Sequence, residues 1–256
     1  MKRAALLAVL LAAIAATDAE AELTQKGDLF VHFDGGIAPR ALPRRAAAPI
    51  SVHVEGTIRQ IGGAAPPALS RIEVALNRAG RLETEGLPVC TRGRIRDAGP
   101  AEAIGACGPA LIGSGGYTVR TTLPGQTVTV SPGEILLFNS RDHGRPSILA
   151  KASQSEPVPL RGLFVFSIRH RRRGAYGYVI AARVPPGISR DGYLKSIYLQ
   201  LGRTYAFRGR RRSYLRAACA APAGFRSALF PFAHASMSFA DGRTLSSTLT
   251  RSCRVR

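Results

Sequence analysis

The chain has 256 residues with a formal net charge of +20 and a pI near 11.2. It holds no Trp and only four Cys. No motif for nucleic acid (zinc-finger spacing, RNP-like aromatic signature or helix-turn-helix pattern) accompanies that charge, so the charge alone predicts an attraction to polyanions and anionic surfaces and names no specific ligand.

The basic Met1-Lys-Arg3, the apolar run Ala4–Ala16 and the small-residue site Ala19-Glu-Ala21 have the form of a secretory signal peptide, with cleavage expected after Ala21. The run is shorter than the roughly 20 apolar residues a spanning helix needs. The expected destination is the extracellular space or the cell envelope. Cys90, Cys107, Cys219 and Cys253 are an even set, which in an exported chain predicts disulfides. Three pairings are open; the local one, Cys90–Cys107 and Cys219–Cys253, is preferred because each pair falls within one half of the chain. No C-x-x-C or C-x-x-H spacing supports a metal, and no cofactor is expected.

From the N-terminus, Leu29-Phe-Val-His-Phe33 reads as a strand closed by Asp34-Gly-Gly36. Ile50–Ile58 alternates, with Ile50, Val52, Val54 and Ile58 on one face and Ser51, His53, Glu55 and Thr57 on the other. Arg71–Leu76 alternates again; Asn77-Arg-Ala-Gly80 predicts a turn that makes a hairpin with Arg81–Glu85. Gly99-Pro-Ala-Glu102 predicts a short helix near 100–106. Gly113-Ser-Gly-Gly116 reads as a Gly-rich turn between strands, and Thr127–Val130, Ile135–Phe138 and Ile148–Lys151 are further strand candidates. The second half repeats this character at Leu163–Ile168, Tyr176–Ile180, Leu194–Arg203, Ala235–Phe239 and Thr244–Ser252.

Leu69-Ser-Arg-Ile-Glu-Val-Ala-Leu-Asn-Arg78 and Leu194-Lys-Ser-Ile-Tyr-Leu-Gln-Leu-Gly-Arg203 share Leu, Ile, Leu and Arg at the same four places. Leu29-Phe-Val31 likewise matches Leu163-Phe-Val165, in the same order along the chain. The expectation is an all-β, two-sheet antiparallel sandwich built from two related halves, residues 22–150 and 151–256, either as one continuous core or as tandem domains. The halves differ in charge: 14 Lys+Arg against 11 Asp+Glu in the first, 20 against 3 in the second.

The candidate functional residues are two arginine groups: Arg169, Arg171, Arg172 and Arg173 at a predicted hairpin tip, and Arg208, Arg210, Arg211, Arg212 and Arg216. Planar guanidinium forks suit oxyanions, so the expectation is a non-enzymatic binding or structural protein whose partners are anionic envelope polymers or a membrane surface. The alternative is a secreted hydrolase assembled only in three dimensions. Its thin signals are Ser114 among glycines, which is not G-x-S-x-G, and the Asp142-His143 neighbours; no catalytic residue is assigned.

Leu29-Phe-Val-His-Phe-Asp-Gly35 and Ser236-Met-Ser-Phe-Ala-Asp-Gly-Arg-Thr-Leu245, with the Cys-anchored ends, resemble uncharacterised secreted proteins of GC-rich actinobacteria. The resemblance implies export and a β-rich fold, and carries no catalytic or binding residue to this chain.

Overall fold

The computed structural model describes residues 22–121, 128–156, 159–185 and 192–256. Residues 1–21, for which the sequence predicts a signal peptide, lie outside them, as does Thr127.

The strands are β1 (Glu22–Lys26), β2 (Leu29–Ala38), β3 (Ala41–Leu42), β4 (Ala48–Pro49), β5 (Ser51–Gln60), β6 (Leu69–Asn77), β7 (Gly80–Leu82), β8 (Leu111–Thr121) and β9 (Thr129–Asp142) in the first half. They continue as β10 (Arg145–Gln154), β11 (Leu160–His170), β12 (Tyr176–Arg183), β13 (Gly192–Leu201), β14 (Thr204–Phe207), β15 (Arg210–Ser213), β16 (Leu215–Ala217), β17 (Ser227–Phe239) and β18 (Thr244–Val255). Two short helices, α1 (Arg92–Ile95) and α2 (Pro100–Cys107), lie between β7 and β8. The chain is all-β, as expected, and α2 falls where Gly99-Pro100 predicts it. Its first turn is closed by the Gly99 amide, which donates to Glu102 Oε2 at 2.7 Å.

A two-sheet sandwich is not what forms. Thirteen strands make one sheet in the order β1-β2-β5-β13-β8-β9-β10-β11-β12-β6-β17-β18-β3, accompanied by a hairpin β14-β15 and a small sheet β4-β16-β7. The large sheet twists and curls until its edges meet, so it covers its own apolar face and needs no second sheet to do so. Both halves of the chain contribute to it. Strand β6 leaves the first half to pair between β12 and β17, and β13 leaves the second half to pair between β5 and β8.

The seam between the edges is held by side chains. Glu22 Oε2 accepts from the Thr248 amide (2.8 Å) and the Ser247 hydroxyl (3.0 Å), and the Thr24 hydroxyl donates to Ser246 O at 3.1 Å. At one end of the seam Arg243 Nη1 donates to Asp28 Oδ1 at 2.5 Å. Towards the other, the buried Arg251 donates to Asp34 Oδ1 and to Gly35 O. Beyond that point β3 runs parallel to β18 and completes the edge.

Alternation decides which residues face inwards. On β5, Val52, Val54 and Ile58 line the interior while His53, Glu55 and Thr57 are exposed, the phase that the period-2 pattern predicts. A polar outer face and an apolar interior are the reverse of a membrane-spanning barrel. On β9 and β10 the opposite face is also apolar, because α1 and α2 pack on it: Ile95, Ala103, Leu136, Phe138 and Leu149 form a second core outside the sheet. The buried Lys151 closes this layer by donating from Nζ to Arg96 O at 2.6 Å; burial pulls its pKa below the ordinary lysine value.

Two local expectations are corrected. Gly113–Gly116 is no turn: it lies inside the continuous strand β8, because a Cβ on Gly113 would stand 2.4 Å from Gln200 O and one on Gly115 1.9 Å from Tyr198 O. Only glycine lets β8 approach β13 so closely. The predicted hairpin of Arg71–Leu76 with Arg81–Glu85 also fails. The turn forms, with Asn77 Oδ1 accepting from the Ala79 amide at 2.8 Å, but β7 departs to pair with β16. The cysteines pair locally, Cys90–Cys107 and Cys219–Cys253.

Candidate functional site

The barrel has two unlike ends. The strand connections that carry insertions all emerge at one of them: the segments 38–51, 77–111 and 201–227, with the small sheet β4-β16-β7 closing that end as a floor. At the opposite end lie the connections β1–β2, β5–β6 and β17–β18.

Between the ends lies an apolar interior that the side chains do not fill. Small barrels of about eight strands are closed by their own inward side chains, and the enclosed width grows with strand number. Here twelve strands ring the interior before β3 is counted. Inward positions on the middle strands are also small: Ala150 and Ala152 on β10, Ala182 on β12. Gly133 on β9 is occupied from across the ladder by the Tyr117 ring, whose Cζ is 2.2 Å from where a glycine-to-alanine Cβ would stand.

The result is a cavity of about 320 Å³ reaching from mid-barrel to the end opposite the floor, and a second of about 170 Å³ above the floor. Leu137, Phe166 and Leu199 line both and form the waist between them. Close-packed interiors leave few voids larger than a water molecule, and small-molecule sites begin near 300 Å³. The larger cavity is therefore of ligand size.

Its chemistry is uniform. Ile58, Ile72, Val119, Ile135, Phe164 and Leu194 are typical of the lining, and among the described residues no charged side chain contributes to it. The polar residues are Tyr117, Thr121, Gln154 and Tyr193, all on one side of the waist. Burial pushes the Tyr117 hydroxyl up to about 12, so it stays protonated at any physiological pH. Tyr214, fully buried at the floor, is raised further by the same cause.

The arginine groups sit at the floor end, and the structure divides them. Arg169 and Arg171 face Glu73, at 3.3 and 3.9 Å. Arg172 and Arg173 are exposed at the tip of the β11–β12 hairpin, whose backbone Arg78 holds through bonds to Gly174 O and Arg172 O. Arg208 occupies a turn position with φ 49° before Gly209, over the Phe207 ring at 5.0 Å. Arg210 and Arg211 are exposed.

Arg212 and Arg216 are structural. Both pair with Glu83, and Arg216 also donates to Ala47 O at 2.6 Å, which ties the segment after β7 to the floor sheet. Burial alone would raise the Glu83 carboxyl, but the bonds from Arg212 and Arg216 outweigh it and hold the carboxyl below the ordinary value. Five of the nine predicted arginines (Arg172, Arg173, Arg208, Arg210 and Arg211) thus remain on the surface without a carboxylate contact among the described residues.

The thin enzyme signals do not converge. Asp142 ends β9 and accepts from Arg92 Nη2 at 2.7 Å; His143 Nε2 stands 3.8 Å from it and is exposed. Ser114 faces outward from β8. Among the described residues no group of three or more His, Cys, Asp or Glu side chains gathers as metal ligands would, and no helix is long and apolar enough to cross a membrane.

No protein-family model, curated protein or solved structure matches this chain.

The cavity is what sequence reasoning missed. Each of its walls was legible as the apolar face of an alternating strand, but an apolar face reads the same whether it meets another side chain or a void. The available signal was the run of small residues at inward positions, Ala150, Ala152 and Ala182.

Proposed function

We propose that the protein is an exported, non-enzymatic binding protein whose barrel interior takes an uncharged, chain-like apolar ligand. The observation that carries this reading is the 320 Å³ cavity, whose lining holds no charged side chain among the described residues. A carboxylate or phosphate drawn into it would lose its hydration and meet no cation among the described lining residues, which disfavours charged headgroups inside and favours an aliphatic or isoprenoid tail. Export is supported by the signal-peptide pattern of residues 1–21 and by two disulfides, which persist in oxidising compartments.

Delipidated mature chain should take up a long-chain alcohol or alkane one-to-one in native mass spectrometry and displace an apolar fluorophore. Absence of uptake for every aliphatic probe, with the fold intact by circular dichroism, would overturn the reading.

A second reading has its own observation. Arg172, Arg173, Arg208, Arg210 and Arg211 are exposed on two hairpins at the floor end, which supports binding of anionic envelope polymers by charge. Retention on an anionic polymer that falls steeply with salt and disappears on reversal of these five to Glu is the expected result; unchanged retention refutes it.

The internal sequence match has a counterpart in the strand order. The strand order contains β2-β5-(β13)-β8-β9 and β11-β12-(β6)-β17-β18, in which each half lends its third strand to the other. The two exchanged strands are the segments that share Leu, Ile, Leu and Arg. This correspondence supports an origin by duplication with reciprocal strand exchange, and resemblance to secreted proteins of GC-rich actinobacteria is consistent with it.

A further inference from the structure

At the floor end, beside the seam, three stretches of chain meet: residues 40–45, 222–229 and 254–256. Arg254 N donates to Arg40 O and Val255 N to Arg226 O, both within 2.9 Å, and Ser227 pairs with Arg254 across the β17–β18 ladder. The Cys219–Cys253 disulfide anchors the same region. It combines two features rarely exposed together. Phe225 is 64% exposed and Leu229 77%, the two most exposed large apolar side chains among the described residues. Around them Arg40, Arg45, Arg226, Arg254 and Arg256 are exposed, and the sequence over 38–49, 217–231 and 242–256 contains no acidic residue.

Phe225 is held out rather than merely loose. Its amide closes a turn onto Pro222 O at 3.2 Å, with Gly224 at φ 85°, a conformation that L side chains rarely adopt. The Arg44 guanidinium donates to Ala221 O, Pro222 O and Phe225 O and so fixes the turn from beneath. Leu229 shares the outward face of β17 with Ser227, opposite Ser252 and Arg254. An exposed phenyl and isobutyl group within four residues, beside several arginines and with no acidic side chain in the surrounding segments, is complementary to one kind of surface. That surface is an anionic lipid bilayer, whose headgroups take guanidinium forks and whose acyl boundary takes apolar side chains.

We propose that this rim docks the protein on anionic membranes, with Phe225 and Leu229 entering the headgroup–acyl boundary and Arg226 and Arg254 contacting lipid phosphates. The rim uses none of the five hairpin arginines and none of the residues lining the larger cavity, and its docking stands or falls independently of what the cavity binds.

The chain has no Trp, so Phe225→Trp supplies a single emitter at the rim. Its emission should shift to the blue with phosphatidylglycerol-containing phosphatidylcholine vesicles at low salt, and not with phosphatidylcholine alone. In co-sedimentation with the same vesicles, R226E/R254E should weaken partitioning by at least about twentyfold, at about fivefold or more per arginine. F225S/L229S should weaken it at all salt concentrations, whereas R172E/R173E should leave it within about twofold of the parent protein. Unshifted emission with anionic vesicles refutes the proposal. So does binding that F225S/L229S leaves unchanged, or binding that a soluble polyanion reproduces with the same blue shift; either of these assigns the rim to polymers instead.

Discussion

Replacing Ala150 with Leu tests whether the interior void is real. Ala150 lies on the inward face of β10, opposite Leu137 in the ladder, and lines the larger cavity. The substitution adds three carbons. If they enter existing space, burial at about 0.8 kcal/mol per methylene stabilises the unliganded protein by about 2 kcal/mol. For a domain of this size, 1 kcal/mol moves Tm by about 2–4 °C, so calorimetry of delipidated A150L should show a rise of about 4–8 °C. If the interior is instead close-packed, the same carbons force off-rotamer neighbours and cost about 1–3 kcal/mol. The two cases differ in sign, which makes the experiment decisive. The stabilised variant should also lose most of its uptake of aliphatic probes. A fall in Tm, or full probe uptake alongside a rise, would refute the assignment of this cavity as the binding site.

Three further predictions concern what holds the barrel closed. Removing the buried Arg251, as R251A, leaves Asp34 unpaired and Gly35 O without its donor, and should cost about 2–4 kcal/mol in urea unfolding, well beyond the effect of a surface arginine such as Arg211. Acid should loosen the molecule in a defined window: bonds from Arg243 and then Gln60 hold the Asp28 carboxyl below its ordinary value of 3.8, and those from Arg212 and Arg216 hold Glu83 below 4.5. Groups with depressed values contribute stability that is full above the ordinary carboxylate value and is lost as pH falls through the folded-state value, so Tm should be level from pH 7 to about pH 5 and fall below about pH 4; the D28N/E83Q variant should be less stable at pH 7 and flatter in acid. The disulfides close spans of 17 and 34 residues, and chain-entropy scaling assigns about 3 and about 4 kcal/mol to them. Paired Cys→Ser variants should therefore lose more stability at Cys219–Cys253 than at Cys90–Cys107, by chemical denaturation under non-reducing conditions.

The arginine clusters show how a composition signal divides once side chains have neighbours. Arg210, Arg211 and Arg212 are consecutive in sequence and alike in chemistry, yet Arg212 is fixed on Glu83 while Arg210 and Arg211 reach solvent. Nothing in the local sequence distinguishes them, because Glu83 lies far away along the chain and is brought in by the floor sheet. The rim was equally hidden: nothing in the local sequence marks Phe225 and Leu229 as exposed, and only the tertiary position of Arg254 and Arg40 beside them gives the patch its character.

By itself, the sequence determined what depends on neighbours within a few residues. The in-and-out phase of β5, the helix at Pro100–Cys107, the local cysteine pairing and the all-β class all follow from alternation, turn chemistry and short spacing, which act on the chain before it closes. Only the tertiary structure decided that one sheet curls on itself in place of two facing each other. It also decided that β6 and β13 change places, that Gly113–Gly116 run straight through a strand, and that the interior is left partly empty. Each of these depends on contacts between residues distant along the chain, where the apolar face of a strand is the same whichever partner covers it. The void in particular is a property of how many strands close the ring, and no single strand carries that number.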